Sequence, residues 1–217
     1  MTYDRAFFAA DPVSVARALV GTVLEVMSAD GNRLAGRIVE VEAYGGPDDP
    51  ASHAAAGPTP RSAIMFGPPG VAYVYFIYGM HHCLNFVTCP TGVAGAVLVR
   101  AVEPERGRDT MAARRGLAPD AADRELGGGP GRLCRALGID LAWNGLPVAA
   151  RLPRPRGAPG CLRLLDGPRP PARIIASPRI GVRRGAVTLW RFCDADSRCL
   201  SAPAAAGERR NPKADPA

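Results

Sequence analysis

Arg33-Leu34-Ala35-Gly36-Arg37-Ile38-Val39-Glu40-Val41-Glu42-Ala43-Tyr44 is the stretch on which the fold turns. It holds Val, Ile and Tyr and no Pro, and from Ile38 onward its pattern suits a strand with two unlike faces. Strand side chains alternate, so Val39, Val41 and Ala43 are expected on the core face and Glu40, Glu42 and Tyr44 on the other. By periodicity alone, that second face reads first as a solvent-facing edge with two carboxylates in water, and otherwise as a general base beside an aromatic platform, just ahead of a loop carrying His53. Thr22 to Met27 reads as the partner strand, joined through Asp30-Gly31, a pair that tolerates the positive φ angles of a tight hairpin.

Working outward, Asp11-Pro12 supplies a cap and a first-turn proline for a short helix that Gly21 stops. Residues 45–61 are rich in Gly, Pro, Asp and Ala and form a loop. Val71 to Tyr78 and Cys83 to Thr88 are expected to pair around a two-residue turn, Gly79-Met80, followed by a strand from Ala96 to Val102. Glu105 to Arg115 and Pro130 to Leu137 have helical composition, the second introduced by Gly127-Gly128-Gly129, read as a flexible connector. Residues 147–171 form a Pro-rich excursion with a strand at Cys161 to Leu165. Two further strands are expected at Arg173 to Ala176 and Ala186 to Phe192. The sum is one α+β domain over residues 1–201, built on a mainly antiparallel sheet with peripheral helices. A disordered tail is expected at 202–217.

Of the 217 residues, 47% are hydrophobic and 22% charged, which excludes disordered and coiled-coil classes. The longest apolar run, Val71 to Tyr78, is too short to cross a membrane, and Asp4, Arg5 and Asp11 interrupt any secretion signal. A cytosolic chain is expected. The net charge is +7, and every basic residue except Lys213 is Arg, whose planar fork fits phosphate oxygens. A nucleic-acid partner and a GC-rich genome explain that excess equally well. The six cysteines contain no C-x-x-C pair, so no structural zinc or other metal is expected.

All three His and four of the five Tyr fall between Tyr44 and His82. Such side chains stack on nucleobases, although Tyr73 and Tyr75 also suit a sheet interior. Tyr78, at the hairpin tip, could cover its own turn or wedge between base steps, with Tyr75 set back to receive an extruded base. Arg100, at the end of an apolar strand, suits a phosphate clamp or a surface ion pair.

Glu40-Val41-Glu42-Ala43-Tyr44, His53, Met65-Phe66, Tyr73-Val74-Tyr75, Ile77-Tyr78-Gly79-Met80, Cys83 and Asn85 closely resemble the alkyladenine (3-methyladenine) DNA glycosylase family. The likeness continues through Leu98-Val99-Arg100-Ala101, Gly129-Pro130-Gly131-Arg132-Leu133-Cys134 and Arg179-Ile180-Gly181-Val182, covering roughly residues 10 to 192. It implies a strongly curved, open-barrel-like antiparallel sheet and an enzyme that acts on damaged purines in double-stranded DNA; no cofactor is expected, and recognition of a single lesion asks for no more than a monomer. It also implies Glu42 as the base that activates water and Tyr44, His53 and Tyr75 as walls of the base pocket. By the same resemblance Tyr78 is the intercalating residue, Asn85 disfavours guanine, and Arg100 positions the target nucleotide. The sequence departs from the family where Leu189-Trp190-Arg191-Phe192 runs into Cys193-Asp194-Ala195-Asp196 instead of a Gly- and Pro-containing turn.

An amine nucleophile for lyase chemistry is lacking upstream of Lys213, so an intact abasic site is the expected product. The chief rival is a non-catalytic module that binds damaged DNA, which the basic balance and the aromatic cluster would also suit. A nucleobase deaminase lacks its zinc signature here, and a small-molecule transferase would have to act on free nucleosides.

Overall fold

Strand β2 (Arg33–Tyr44) is the spine of the sheet. In the computed structural model, residues 2–29, 31–148, 150 and 155–203 are described; Asp30 of the first hairpin turn, Lys213, most of the expected tail and part of the Pro-rich excursion lie outside them. The other strands are β1 (Val23–Ser28), β3 (Ala72–Ile77), β4 (His81–Val87), β5 (Ala96–Arg106), β6 (Gly160–Leu165), β7 (Ile174–Ser177) and β8 (Arg191–Asp194). All neighbours are antiparallel in the order β3-β4-β5-β2-β1-β6.

One edge of β2 pairs with β5 along most of its length, while the other is divided between two partners. Arg33 to Arg37 pair with β1, and Glu40 to Glu42 pair with β8, which carries β7 on its outer edge. The β2–β5 register slips at Ala35/Gly36 and on both sides of Glu40. Bulges bend a strand and raise its twist, and here they curl the sheet into an antiparallel half-barrel.

The same irregularity breaks the expected alternation. Val39 does not share the main core with Val41 and Ala43; it packs with Ala101, Cys193, Cys199 and Leu200. Ile38 takes the place in the main core beside Val41, because the slip adds a residue to the local repeat. Nor do Glu40 and Glu42 face water: both are fully buried, since β8 and the segments at 180 and 201 cover that face.

Among the described residues, five α-helices and two short 3-10 turns complete the α+β fold, the α-helices being α1 (Arg5–Phe8), α2 (Pro12–Leu19), α3 (Arg108–Arg115), α4 (Asp123–Gly127) and α5 (Pro130–Leu137). Asp11 caps α2 as expected, its carboxylate accepting from the Val13 and Ser14 amides at 3.0 and 2.9 Å. Leu19 of α2 and Leu133 and Leu137 of α5 join Leu24, Ile38, Leu84 and Phe86 in the main core. Each such side chain contributes about 1.5–3 kcal/mol on burial. Among the described residues no helix is long and apolar enough to cross a membrane.

Several boundaries differ from expectation. Glu105 and Arg106 extend β5, with Arg106 opposite Ala35, and the helix starts only after Gly107, whose φ of 78° ends the strand. The first hairpin of the aromatic stretch turns over three residues, Tyr78 to Met80, because Ile77 pairs with His81. The Gly127-Gly128-Gly129 run is buried and not a flexible connector. Residues 186–190 are not strand, whereas Cys193 and Asp194, where the sequence departs from the family pattern, are the second half of β8.

Candidate active site

The bent end of β2 sets Glu40, Glu42 and Tyr44 beneath a cavity of about 380 Å³. β3 brings Tyr73 and Tyr75 to it, β4 Cys83 and Asn85, and β5 Arg100. The first residues of α5, Pro130 and Gly131, close one side, and Ile180, Gly181 and Val182 close another. Of the residues singled out from sequence, Tyr44, His53, Tyr75, Tyr78, Asn85 and Arg100 all line this cavity.

Glu42 does not line it. Its carboxylate is fully buried one layer behind, held by three residues that do. Oε1 accepts from the Ile180 amide at 2.6 Å, and Oε2 from the Tyr44 hydroxyl at 2.8 Å and from Arg100 Nη1 at 3.2 Å. Burial, reinforced by the Glu42 charge, pushes the Tyr44 hydroxyl well above the usual tyrosine range, so it stays a donor. Arg100 is spread across two carboxylates, its Nε donating to Glu40 Oε1 at 3.0 Å. Burial disfavours that cation, but Glu42 and Glu40 together hold its pKa above the usual arginine value.

The aromatic walls support one another. His53 stands edge-on to Tyr75 with ring centres 4.8 Å apart, and its Nδ1 lies 2.9 Å from the Tyr73 hydroxyl. Burial against these rings, with the Arg61 charge added, lowers the imidazole to about 4, so the ring is neutral at pH 7. Arg61 also sits 4.6 Å above the Tyr75 ring. Asn85 is buried, its Nδ2 donating to the Tyr73 carbonyl at 3.0 Å. A small second core of Ala54, Met65, Tyr73, Val87, Ala94 and Ala96 packs beneath this wall and fixes it. Tyr78 contrasts with all of these. It is 81% exposed, in the left-handed region at φ 54°, between the half-exposed Phe76 and the exposed Met80.

Sequence reasoning gave no role to Ile180, whose contribution is a backbone N–H and leaves no side-chain signal. It also missed the clamp behind Tyr44. The Arg179 guanidinium lies 4.8 Å from the Tyr44 ring and 5.2 Å from Trp190, and grips both Asp49 oxygens at 2.6 and 2.8 Å. That ion pair, with the Gly45 and Ala51 amides, holds the Asp49 carboxyl below its usual range against the opposing effect of burial. The motif Arg179-Ile180-Gly181-Val182 marked the place but not the function.

A buried carboxylate held by an arginine, a tyrosine and an amide, behind an aromatic cavity with an exposed tyrosine nearby, is an arrangement for handling a flat ring. Residues 6–198 match the family model described as methylpurine-DNA glycosylase (MPG). A Rhodopseudomonas palustris protein is 48% identical over 200 residues, which is 92% of this chain and 87% of that protein. One from Burkholderia lata is 45% identical over 199 residues, 92% and 90% respectively, and one from Anaeromyxobacter dehalogenans 45% over 208 residues, 94% and 88%. All three bear the name "Putative 3-methyladenine DNA glycosylase". The chain belongs to the methylpurine-DNA glycosylase family. Its activity is accordingly that of a DNA glycosylase, a hydrolase of base excision repair with DNA as its substrate.

Proposed function

We propose that this enzyme flips alkylated purines of the 3-methyladenine class out of duplex DNA into the cavity and hydrolyses the N-glycosidic bond with water activated by Glu42. The observation that carries this reading is the convergence of Tyr44, Arg100 and Ile180 on one buried carboxylate beneath the aromatic walls. An ionised carboxylate has about four acceptor sites, and three donors occupy three of them. The remaining site, on Oε1, accepts a proton from the attacking water, whose oxygen is aimed at the sugar carbon.

Tyr78 enters the stack and fills the gap left by the extruded nucleotide, an insertion that its exposure on a short turn suits. Tyr44, Tyr75 and His53 then bracket the base. N3- or N7-alkylation makes a purine cationic, and the neutral state of His53 spares it like-charge repulsion. Asn85 disfavours guanine at its exocyclic amino group, and two guanidinium protons of Arg100 left over from the carboxylates and Ser201 position the target nucleotide. When the glycosidic bond breaks, its electron pair goes to the departing base, which leaves neutral. The water oxygen bonds to the sugar carbon and the water proton goes to Glu42, leaving an abasic site. The chemistry asks for no cofactor and no amine nucleophile, so strand cleavage is not part of it, and a monomer suffices.

The test is release of free base from methylated duplex, with alkali added afterwards to cut abasic sites. The parent releases base and breaks strands only after alkali, while Glu42→Gln falls at least about 10²-fold and still binds the duplex. An active Glu42→Gln protein removes the base assignment. Salt-sensitive binding by the parent without any release makes the chain a damaged-DNA reader instead.

A further inference from the structure

Glu40 is a second fully buried carboxylate that the hydrolysis does not use, and it is the more heavily coordinated of the two. Its Oε1 accepts from Arg100 Nε at 3.0 Å, Arg191 Nε at 2.7 Å and the Ser201 hydroxyl at 2.7 Å, and its Oε2 from the Ser201 amide at 2.6 Å. The Ser201 hydroxyl also lies 3.3 Å from Arg100 Nε and 3.2 Å from Nη2. One side of the Arg100 guanidinium is thereby fixed, and because the group is planar its Nη1 is left aimed at Glu42. The segment carrying Ser201 is itself tied down. Arg191 Nη2 and Nη1 donate to the Ala202 and Pro203 carbonyls at 2.7 and 3.3 Å, and Arg124 Nε donates to the Leu200 carbonyl at 3.0 Å. The buried set thus pairs two carboxylates, Glu40 and Glu42, with two guanidinium groups, Arg100 and Arg191.

We propose that Ser201 and Glu40 are positioning residues: the segment at 200–203 is a strap that orients Arg100 and, through it, the Glu42 carboxylate. The inference rests on Glu42 being the base. Neither residue lines the cavity, so each acts through Arg100 and not by touching the DNA itself.

The experiment is single-turnover base release at saturating enzyme, paired with affinity for lesion duplex and a thermal melt. Ser201→Ala keeps the backbone amide bond to Glu40 but removes the hydroxyl's bond to Glu40 Oε1 together with its contacts to Arg100. The chemical rate is expected to fall about tenfold with affinity unchanged, and Ser201→Thr to restore most of it. In an Arg100→Lys background, which removes the guanidinium through which the strap acts on Glu42, Ser201→Ala is expected to cost much less than its tenfold in the parent, a coupling that general loosening of the fold would not produce. If Ser201→Ala melts below the assay temperature, Ser201→Cys, nearly isosteric and a poorer hydrogen-bond partner, carries the same comparison. A Ser201→Ala rate equal to the parent's, or a full loss that persists beside Arg100→Lys, overturns the strap. Glu42→Gln in the same assay separates the two ideas, since its activity would sink the base assignment itself.

Discussion

His53 lies against Tyr73 and Tyr75 on one side and is open on the other, and with Arg61 nearby its ring is held at about 4. A folded-state value below the ordinary 6.5 means the fold prefers the neutral ring, a preference fully present above about pH 6.5 and lost as pH falls toward 4. Solvent on the open face screens part of that effect. By NMR the His53 midpoint is expected well under 6.5, and Arg61→Gln is expected to raise it by removing a like charge. A parent midpoint at or above 6.5 would contradict this account and, with it, the neutral wall for a cationic base. The clustering of His and Tyr already placed His53 among the ring-bearing residues and the family likeness made it a wall, but Arg61 gave no signal, because its role depends on a loop returning over Tyr75.

At the scale of elements, Gly127 tests whether the glycine run is packed. A Cβ there would sit 2.1 Å from the Val102 carbonyl oxygen of β5, a backbone atom that cannot swing away. Gly127→Ala is therefore expected to destabilise the fold by about 2–3 kcal/mol, read as a lower urea midpoint with an unchanged slope. An unchanged midpoint would show that the α4–β5 contact yields. Asp11-Pro12 announced α2, and helical composition α5, because such signals are local, whereas three adjacent glycines look alike whether they are loose or jammed against a strand. β2 was legible in its full length for the same local reason. Its two-sided burial was not, because the slips beside Glu40 and the cover supplied by β8 and Ser201 come from residues up to 161 positions away.

Charge is a property of the whole molecule, and part of the excess of +7 gathers between α3 and α5. Arg115, at the end of α3, has its pKa lowered by partial burial and by the neighbouring Arg132 and Arg135 of α5. Backbone carbonyls aim all three: Arg115 Nε donates to Glu125 O at 3.2 Å, Arg132 Nη1 to Arg124 O at 3.2 Å and Arg135 Nε to Arg114 O at 2.9 Å. Mutual repulsion of like charges is a cost to the fold, and a phosphate backbone would relieve it. α5 is also the helix whose first residues close the cavity, so the cluster stands on the same element as the site. Each phosphate neutralised releases condensed counterions, which makes log K fall with log salt by nearly one unit per contact. Arg132→Ala is expected to lower that slope by about 1 and Arg132→Ala with Arg135→Ala by about 2, equally on intact and lesion duplex. Loss confined to lesion duplex would instead place these arginines in base recognition, and an unchanged slope would leave the cluster without DNA contact.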